Sequence, residues 1–272
     1  MPKNKPFFSI IIPALNEAKY LPKLLGDLAG QTFRDFEVIV VDGNSNDTTV
    51  VKAKSFIKSL PRLTVIASPT RHVCVQRNLG AKQAKADIFV FMDSDNRLPP
   101  YFLQGVKYRF ESEYPDIANF WIKPDISSPS ADLVSLGINL GTEIQNNIKP
   151  RFMLESLICV TKQAFHTLHG FDESINYAEG VDFISAAHEH HHTIKTFRDP
   201  IYYYSFRRFR KFGTLTVLHH TTQLGISQLF DQDYKNIKAS TLYPMLGGSV
   251  FTRNKRIKNQ FLKSIAQLFK EF

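Results

Sequence analysis

Two cysteines, Cys74 and Cys159, are all that 272 residues contain, with no CxxC and no Cys/His zinc spacing. A disulfide framework and a structural zinc site are thereby excluded, and a reducing cytosol is the expected compartment. No apolar run approaches the roughly 18 residues that cross a bilayer. The opening MPKNKPFFSIIIPALNE turns from basic to apolar, but meets Asn16 and Glu17 so soon that it reads as a first strand and not a signal peptide. There is no GxGxxG after that strand and no GxxxxGK[ST], which argues against dinucleotide dehydrogenases and P-loop enzymes. Acidic residues are in deficit, 25 against 34 Lys and Arg, for a formal charge of +9. That balance suits anionic ligands such as nucleotide diphosphates, phospholipid headgroups or nucleic acid, and equally a basic protein kept soluble by its charge. With 43% apolar residues, 23 Phe and 10 Tyr, the chain has the material for a large core and is not disordered.

The first 95 residues alternate between two periods. Phe8–Ile12, Glu37–Asp42 and Ile88–Met92 are short apolar runs of the kind that form buried strands, and Leu63–Ala67 is a further strand between the last two. Between them, Tyr20 to Leu28, Val50 to Leu60 and about Val75–Ala86 carry helical spacing. Repeated strand–helix units predict a parallel sheet with helices on both faces. Further on, Phe102, Val106 and Phe110 mark a helix, Ala118–Ile122 and Leu157–Thr161 two strands, and Ala131–Ile148 a long helix. Gly170–Asp182 reads as an acidic loop. The expectation is one α/β domain over residues 1–212, followed by a helical extension over 213–272.

In such a sheet ligands gather at the carboxyl ends of the strands, where strand order reverses. The first strand ends in Pro13-Ala14-Leu15-Asn16-Glu17, the second in Asp42 with Asp47 five residues on, and the fourth in Asp93-Ser94-Asp95. Each carboxylate alone could cap a helix or form a turn; their convergence on one edge is the stronger signal. Asp93 and Asp95 can both face a Mg²⁺ or Mn²⁺ ion that shares its coordination with a diphosphate. The same spacing in Asp231-Gln232-Asp233 follows no buried strand and reads as a solvated turn. Arg71 and Arg77 are the nearest basic residues, as phosphate partners or as surface charge.

These segments resemble the family 2 inverting glycosyltransferases, which have the GT-A nucleotide-sugar-binding fold. The likeness runs through residues 7–205 and is carried by SIIIPALNE (Ser9–Glu17), EVIVVDGNSNDTT (Glu37–Thr49), QRNLGAKQAKADIFVFMDSD (Gln76–Asp95) and GFDES (Gly170–Ser174), more loosely by YAEGVDF (Tyr177–Phe183). The resemblance implies a nucleotide-diphosphate-sugar donor, a Mn²⁺ or Mg²⁺ cofactor, a glycan, lipid-linked saccharide or polyprenyl phosphate acceptor, and no nucleic-acid partner. By position it implies that Pro13, Ala14 and Glu17 line the base and ribose, that Asp42 contacts the base, and that Asp47 closes the same loop. Arg77 would lie near the donor phosphates, Arg207 and Arg208 would help hold the diphosphate, and Asp95, with Asp93, would hold the metal.

One position departs from the family pattern. Where the family commonly shows Glu-Asp with the aspartate as general base, this chain has Glu179-Gly180. Either Glu179 or Asp182 must substitute, and the first turn of a helix is the structural alternative for Asp182. Rival readings are a non-catalytic nucleotide-sugar or polyanion-binding module and a sugar-nucleotide pyrophosphorylase, although the latter needs a glycine-rich loop after the first strand. The aromatic and basic run from Tyr202 to Phe212 could clasp an anion, or be a strand entering a basic surface helix. His188, His190, His191 and His192 read as a solvated helix end. An amphipathic helix over Arg256–Phe272 would pack on the domain or on a second copy as a homodimer, or lie on an anionic membrane at its inner, cytoplasmic face.

Overall fold

The computed structural model describes residues 5–148, 153–175 and 179–212. The Asp231–Asp233 copy, Tyr177 and the expected carboxyl-terminal extension and helix lie outside the described residues. Among the described residues one sheet contains β1 (Phe8–Ala14), β2 (Phe36–Asp42), β3 (Leu63–Ala67), β4 (Ile88–Met92), β5 (Ile117–Pro124), β6 (Leu157–Thr161) and β7 (Ile194–Tyr204). Their spatial order is β3-β2-β1-β4-β6-β5-β7. The first four strands pair in parallel, while β6 runs antiparallel to both β4 and β5, and β7 pairs parallel to β5.

Alternation along the buried strands builds two cores. Ile10, Ile12, Val38 and Val40 face Leu21, Leu24, Leu25 and Leu28 of α1 (Leu21–Ala29) and Phe102 and Val106 of α4 (Phe102–Glu113). Ile11, Ile39, Val41 and Phe91 face the opposite layer, which holds α3 (Val73–Gln83), α6 (Lys162–Thr167) and α7 (Glu179–Glu189). Each fully buried aliphatic or aromatic side chain contributes about 1.5–3 kcal/mol. Cys74 and Cys159 are free and buried in these layers, and burial pushes both thiols up, away from reactivity. Gly80 is where α3 touches the sheet: a Cβ there would lie 2.4 Å from Ile11 Cγ2.

Two expectations are corrected. The second helix, α2 (Thr49–Lys54), stops well before Leu60, because the following turns close three residues back, as in Ile57 N–H to Lys54 O (3.2 Å) and Ser59 N–H to Phe56 O (3.0 Å). Ile57 is thereby turned outward to 55% exposure while Ala53 and Leu60 stay buried. The acidic loop ends earlier than expected, because Glu179 already opens α7 and Asp182 stands in its first turn. The sequence shows only the end of β7, which spans eleven residues. It is an edge strand, so only Phe197, Pro200 and Tyr202 need burial, and the polar residues between them hide its period. Beyond it, α5 (Pro129–Ile148) packs through Ala131 against Phe206 and Phe209, on either side of the start of α8 (Arg207–Phe212). The strand entering a basic helix is therefore the outcome for Tyr202–Phe212.

Candidate active site

The strand order changes direction at β1, with β2 on one side and β4 on the other, which opens a crevice at their carboxyl ends. Glu17, Asp42, Asp93 and Asp95 all lie on that edge. Because β5 and β7 run in the sense of β4, the end of β7 brings Arg207 to the same edge, and because β6 is reversed, its start brings Glu155 and Ser156 there as well. The Asp93 N–H donates to the Ser156 carbonyl at 2.8 Å.

Helix α3 organises this edge with its polar residues. Gln76 Nε2 donates to the Val41 carbonyl (2.7 Å) and the Ala14 carbonyl (3.1 Å), tying the ends of β1 and β2 beside Pro13 and Ala14. Arg77 is 2% exposed; it donates from one terminal nitrogen to Glu179 Oε1 (2.9 Å), and from the other to the Glu155 carbonyl (3.0 Å) and Asp93 Oδ1 (3.3 Å). Asn78 exchanges hydrogen bonds with the Phe171 backbone at 2.8 and 2.9 Å, fixing the GFDES loop. The helix lacks a clear apolar face for this reason: its inner face does polar work.

The nucleotide-side residues divide by role. Asp42 is buried; Oδ2 accepts the Ser45 N–H at 3.0 Å, and Oδ1 has no hydrogen-bond partner among the described residues. Asp47 is exposed and accepts the Thr49 N–H (2.9 Å) and the Ala18 N–H (3.2 Å), joining the loops after β1 and β2. Burial raises its pKa, but these bonds outweigh that and lower it. Arg71 is exposed and donates to the Asn44 carbonyl at 2.9 Å.

Arg207 crosses the crevice. It grips Glu17 at 2.8 and 2.9 Å, and its Nε lies 2.7 Å from Asp95 Oδ2. Arg208 is exposed on α8, and its charge reaches Asp93. Desolvation pushes the Asp93 carboxyl up to about 6, opposed by Arg77 and reinforced by Asp95 and Glu179; solvent at its 38% exposed side chain moderates that rise. Of the histidines, His188, His190 and His191 are exposed, as a solvated helix end requires, whereas the His192 side chain is only 14% exposed and its Nδ1 lies 3.4 Å from Asp116 Oδ2.

Glu17 is 3% exposed, and its burial overcomes Arg207 to bring its pKa from 4.5 to about 7. A carboxyl raised in the folded state binds more protons there than in the unfolded chain, so stability falls as pH rises from about 4.5 to about 7. At about 1.4 kcal/mol per tenfold of proton affinity, the loss is roughly 3 kcal/mol. Urea unfolding in chelator at pH 5 and pH 8 should show wild type losing that much relative to Glu17→Gln. Equal pH slopes would contradict the assignment.

The donor chemistry fits a divalent cation. Glu17, Asp93, Asp95, Glu155 and Glu179 crowd around two guanidiniums, Arg77 and Arg207, leaving hard oxygens in excess of positive charge. Among the described residues no three His, Cys, Asp or Glu side chains form an ion cage. The protein's share would thus be the aspartate pair, with diphosphate and water completing the shell.

The sheet order, its reversed sixth strand and this acidic edge define a GT-A-type glycosyltransferase fold. The glycosyl transferase family 2 model matches residues 9–154, and the chain belongs to that family. An uncharacterized glycosyltransferase of Haemophilus influenzae is 31% identical over 186 residues, covering 65% of this chain and 60% of that protein. The poly(ribitol-phosphate) β-N-acetylglucosaminyltransferase TarS of Staphylococcus aureus is 25% identical over 212 residues, 74% of this chain and 36% of TarS. The chain thus spans less than two thirds of both relatives. The structure of TarS residues 1–349 with UDP-GlcNAc superposes with a TM-score of 0.61 at 24% identity, over 74% of this chain and 58% of that one. A Pyrobaculum calidifontis mannosyltransferase in complex with GDP-Man and Mn²⁺ gives 0.57 at 20% identity, over 75% and 58%; these two likenesses concern the fold.

Proposed function

We propose that this chain transfers a sugar, with inversion, from a nucleoside-diphosphate sugar to an acceptor hydroxyl of a glycan or lipid-linked saccharide, or to a polyprenyl phosphate. The observation that carries the reading is the meeting of Asp42, Glu17, Asp93 and Asp95 at the strand-order switch. Asp42 Oδ1, buried without a hydrogen-bond partner among the described residues, is an acceptor suited to a base N–H. Pro13, Ala14 and Glu17 wall the base and ribose, and Asp47 holds the loop that closes over them. The TarS and mannosyltransferase complexes, with UDP-GlcNAc and with GDP-Man and Mn²⁺, support a nucleotide sugar in this fold. Asp93 and Asp95 would hold Mn²⁺ or Mg²⁺, which when bound neutralises charge on the departing diphosphate. Arg207 and Arg208 add positive charge on the leaving side. Beside Asp95 an open cleft of about 510 Å³, lined by Tyr20, Lys23, Arg97, Lys123 and Asp125, has room for an acceptor. No helix among the described residues is long and apolar enough to cross a membrane.

Incubation with UDP- and GDP-sugars, Mn²⁺ and candidate acceptors tests the proposal, with release of the nucleoside diphosphate expected. UDP or GDP should also raise the melting temperature, since binding to the native state stabilises it. Binding without turnover would mark a non-catalytic module, and pyrophosphate release a pyrophosphorylase; either would overturn the proposal.

A further inference from the structure

We infer that Glu155 is the general base of this chain, occupying the space that a side chain at position 180 would otherwise fill. The inference rests on the transferase reading above and deepens it. Helix α7 begins at Glu179, so position 180 faces the start of β6. A Cβ at Gly180 would lie 2.5 Å from Glu155 Cγ, 3.1 Å from its Cδ and 3.0 Å from its Oε1. A side chain there and Glu155 in this pose are mutually exclusive. The Gly180 N–H donates to Glu155 Oε1 at 3.0 Å, so the missing side chain and the carboxyl that replaces it are joined by a direct bond. Glu155 also adjoins Ser156, whose carbonyl holds the Asp93 N–H at 2.8 Å, so the backbone that carries Glu155 is tied to the residue that follows β4.

The two carboxylates nearest in sequence are less suited. Glu179 is held by Arg77 at 2.9 Å and is 7% exposed, so taking a proton would break a buried ion pair. Asp182 belongs to the first turn of α7, a position that helix capping already explains. The Glu155 carboxyl is half-buried and backed by Glu179 and Asp93, with Arg77 opposing them; burial first, then Glu179, raise its pKa well above the usual carboxylate range.

The step balances as follows. The acceptor oxygen forms its bond to the anomeric carbon while its proton passes to a Glu155 carboxylate oxygen. The bond from that carbon to the β-phosphate oxygen breaks, its electron pair leaving with the nucleoside diphosphate, and Glu155 then returns the proton to solvent.

Glu155→Gln keeps the shape and an oxygen for the Gly180 N–H, so a merely structural role would survive it. With UDP-GlcNAc and GDP-mannose as probes, Mn²⁺ present and diphosphate release as readout, kcat should fall about 10²-fold or more. The melting shift given by UDP or GDP should be unchanged. The double variant Glu155→Ala with Gly180→Asp, in which the collision is gone, should recover at least about tenfold over Glu155→Ala alone, a fraction of the general-base effect. Wild-type kcat in Glu155→Gln would overturn the inference and leave the transferase reading standing. A folded double variant no better than Glu155→Ala would also overturn it. Absence of nucleotide binding and turnover in the wild-type protein would overturn both.

Discussion

Asp95→Ala should reduce glycosyl transfer by about 10²–10³-fold while leaving the fold in place. Electrostatic stabilisation of a departing group is typically worth about 3–4 kcal/mol, and 1.36 kcal/mol is a factor of ten in rate. Asp95 is the D-x-D carboxylate nearest the open cleft, and a cation shared with the diphosphate would lose one of its two protein ligands. The fold should tolerate the change, because Asp95 belongs to no strand or helix, and Arg207 keeps its two bonds to Glu17 at 2.8 and 2.9 Å. An unpaired crevice cation is not created, so the stability cost should stay near 1 kcal/mol or below. Diphosphate release in saturating Mn²⁺, alongside thermal melts, checks both halves. Near wild-type turnover in Asp95→Ala would remove the metal assignment, and so would a manganese and UDP or GDP complex with the ion elsewhere.

Much of this edge is legible in the sequence because three of its contributors follow parallel strands. Where a strand runs with its neighbours, the residues just after its apolar run must lie at the ligand end, which is why Glu17, Asp42 and Asp93 are found by reading forward. Glu155 precedes its strand. It reaches the same edge only because β6 is reversed, with Met92 opposite Leu157, and nothing in LICVT announces that reversal. Arg207 could be singled out as basic, but its partners Glu17 and Asp95 are 190 and 112 positions away. Gln76 and Asn78 were visible as motif letters; their bonds to the Val41 and Phe171 backbones are not, since polar residues on an inner helix face look like surface. Gly180 was legible as a missing carboxylate. What stands in its place is set by the tertiary fold, because the collision is with a residue 25 positions away.

Arg77→Met should be the most destabilising single change in this region, at about 3–5 kcal/mol. The guanidinium is 2% exposed and serves Glu179, Asp93 and the Glu155 carbonyl together. A methionine of similar volume removes the charge and leaves Glu179, itself 7% exposed, without it. The penalty is therefore the stranded carboxylates and the carbonyl, more than any lost packing on Phe171, whose ring lies 5.2 Å from the guanidinium. Arg77→Lys keeps the charge but not the fork that reaches three acceptors, so it should cost less, though not nothing. The sign with pH follows. Burial raises the Asp93 and Glu155 carboxyls and Arg77 opposes that rise, so without Arg77 both hold their protons to higher pH and the variant loses stability as pH rises above the unfolded values of about 4. The gap to wild type should then be smallest in acid and widest at pH 7 to 8. Adding Glu179→Gln to Arg77→Met should return part of the loss, because the stranded charge is gone. Urea unfolding at pH 5 and pH 7.5 reads all three variants. A pH-independent loss in Arg77→Met, unrelieved by Glu179→Gln, would mean that Arg77 acts through packing, and the carboxylates at this sheet edge would then be held apart by something other than its charge.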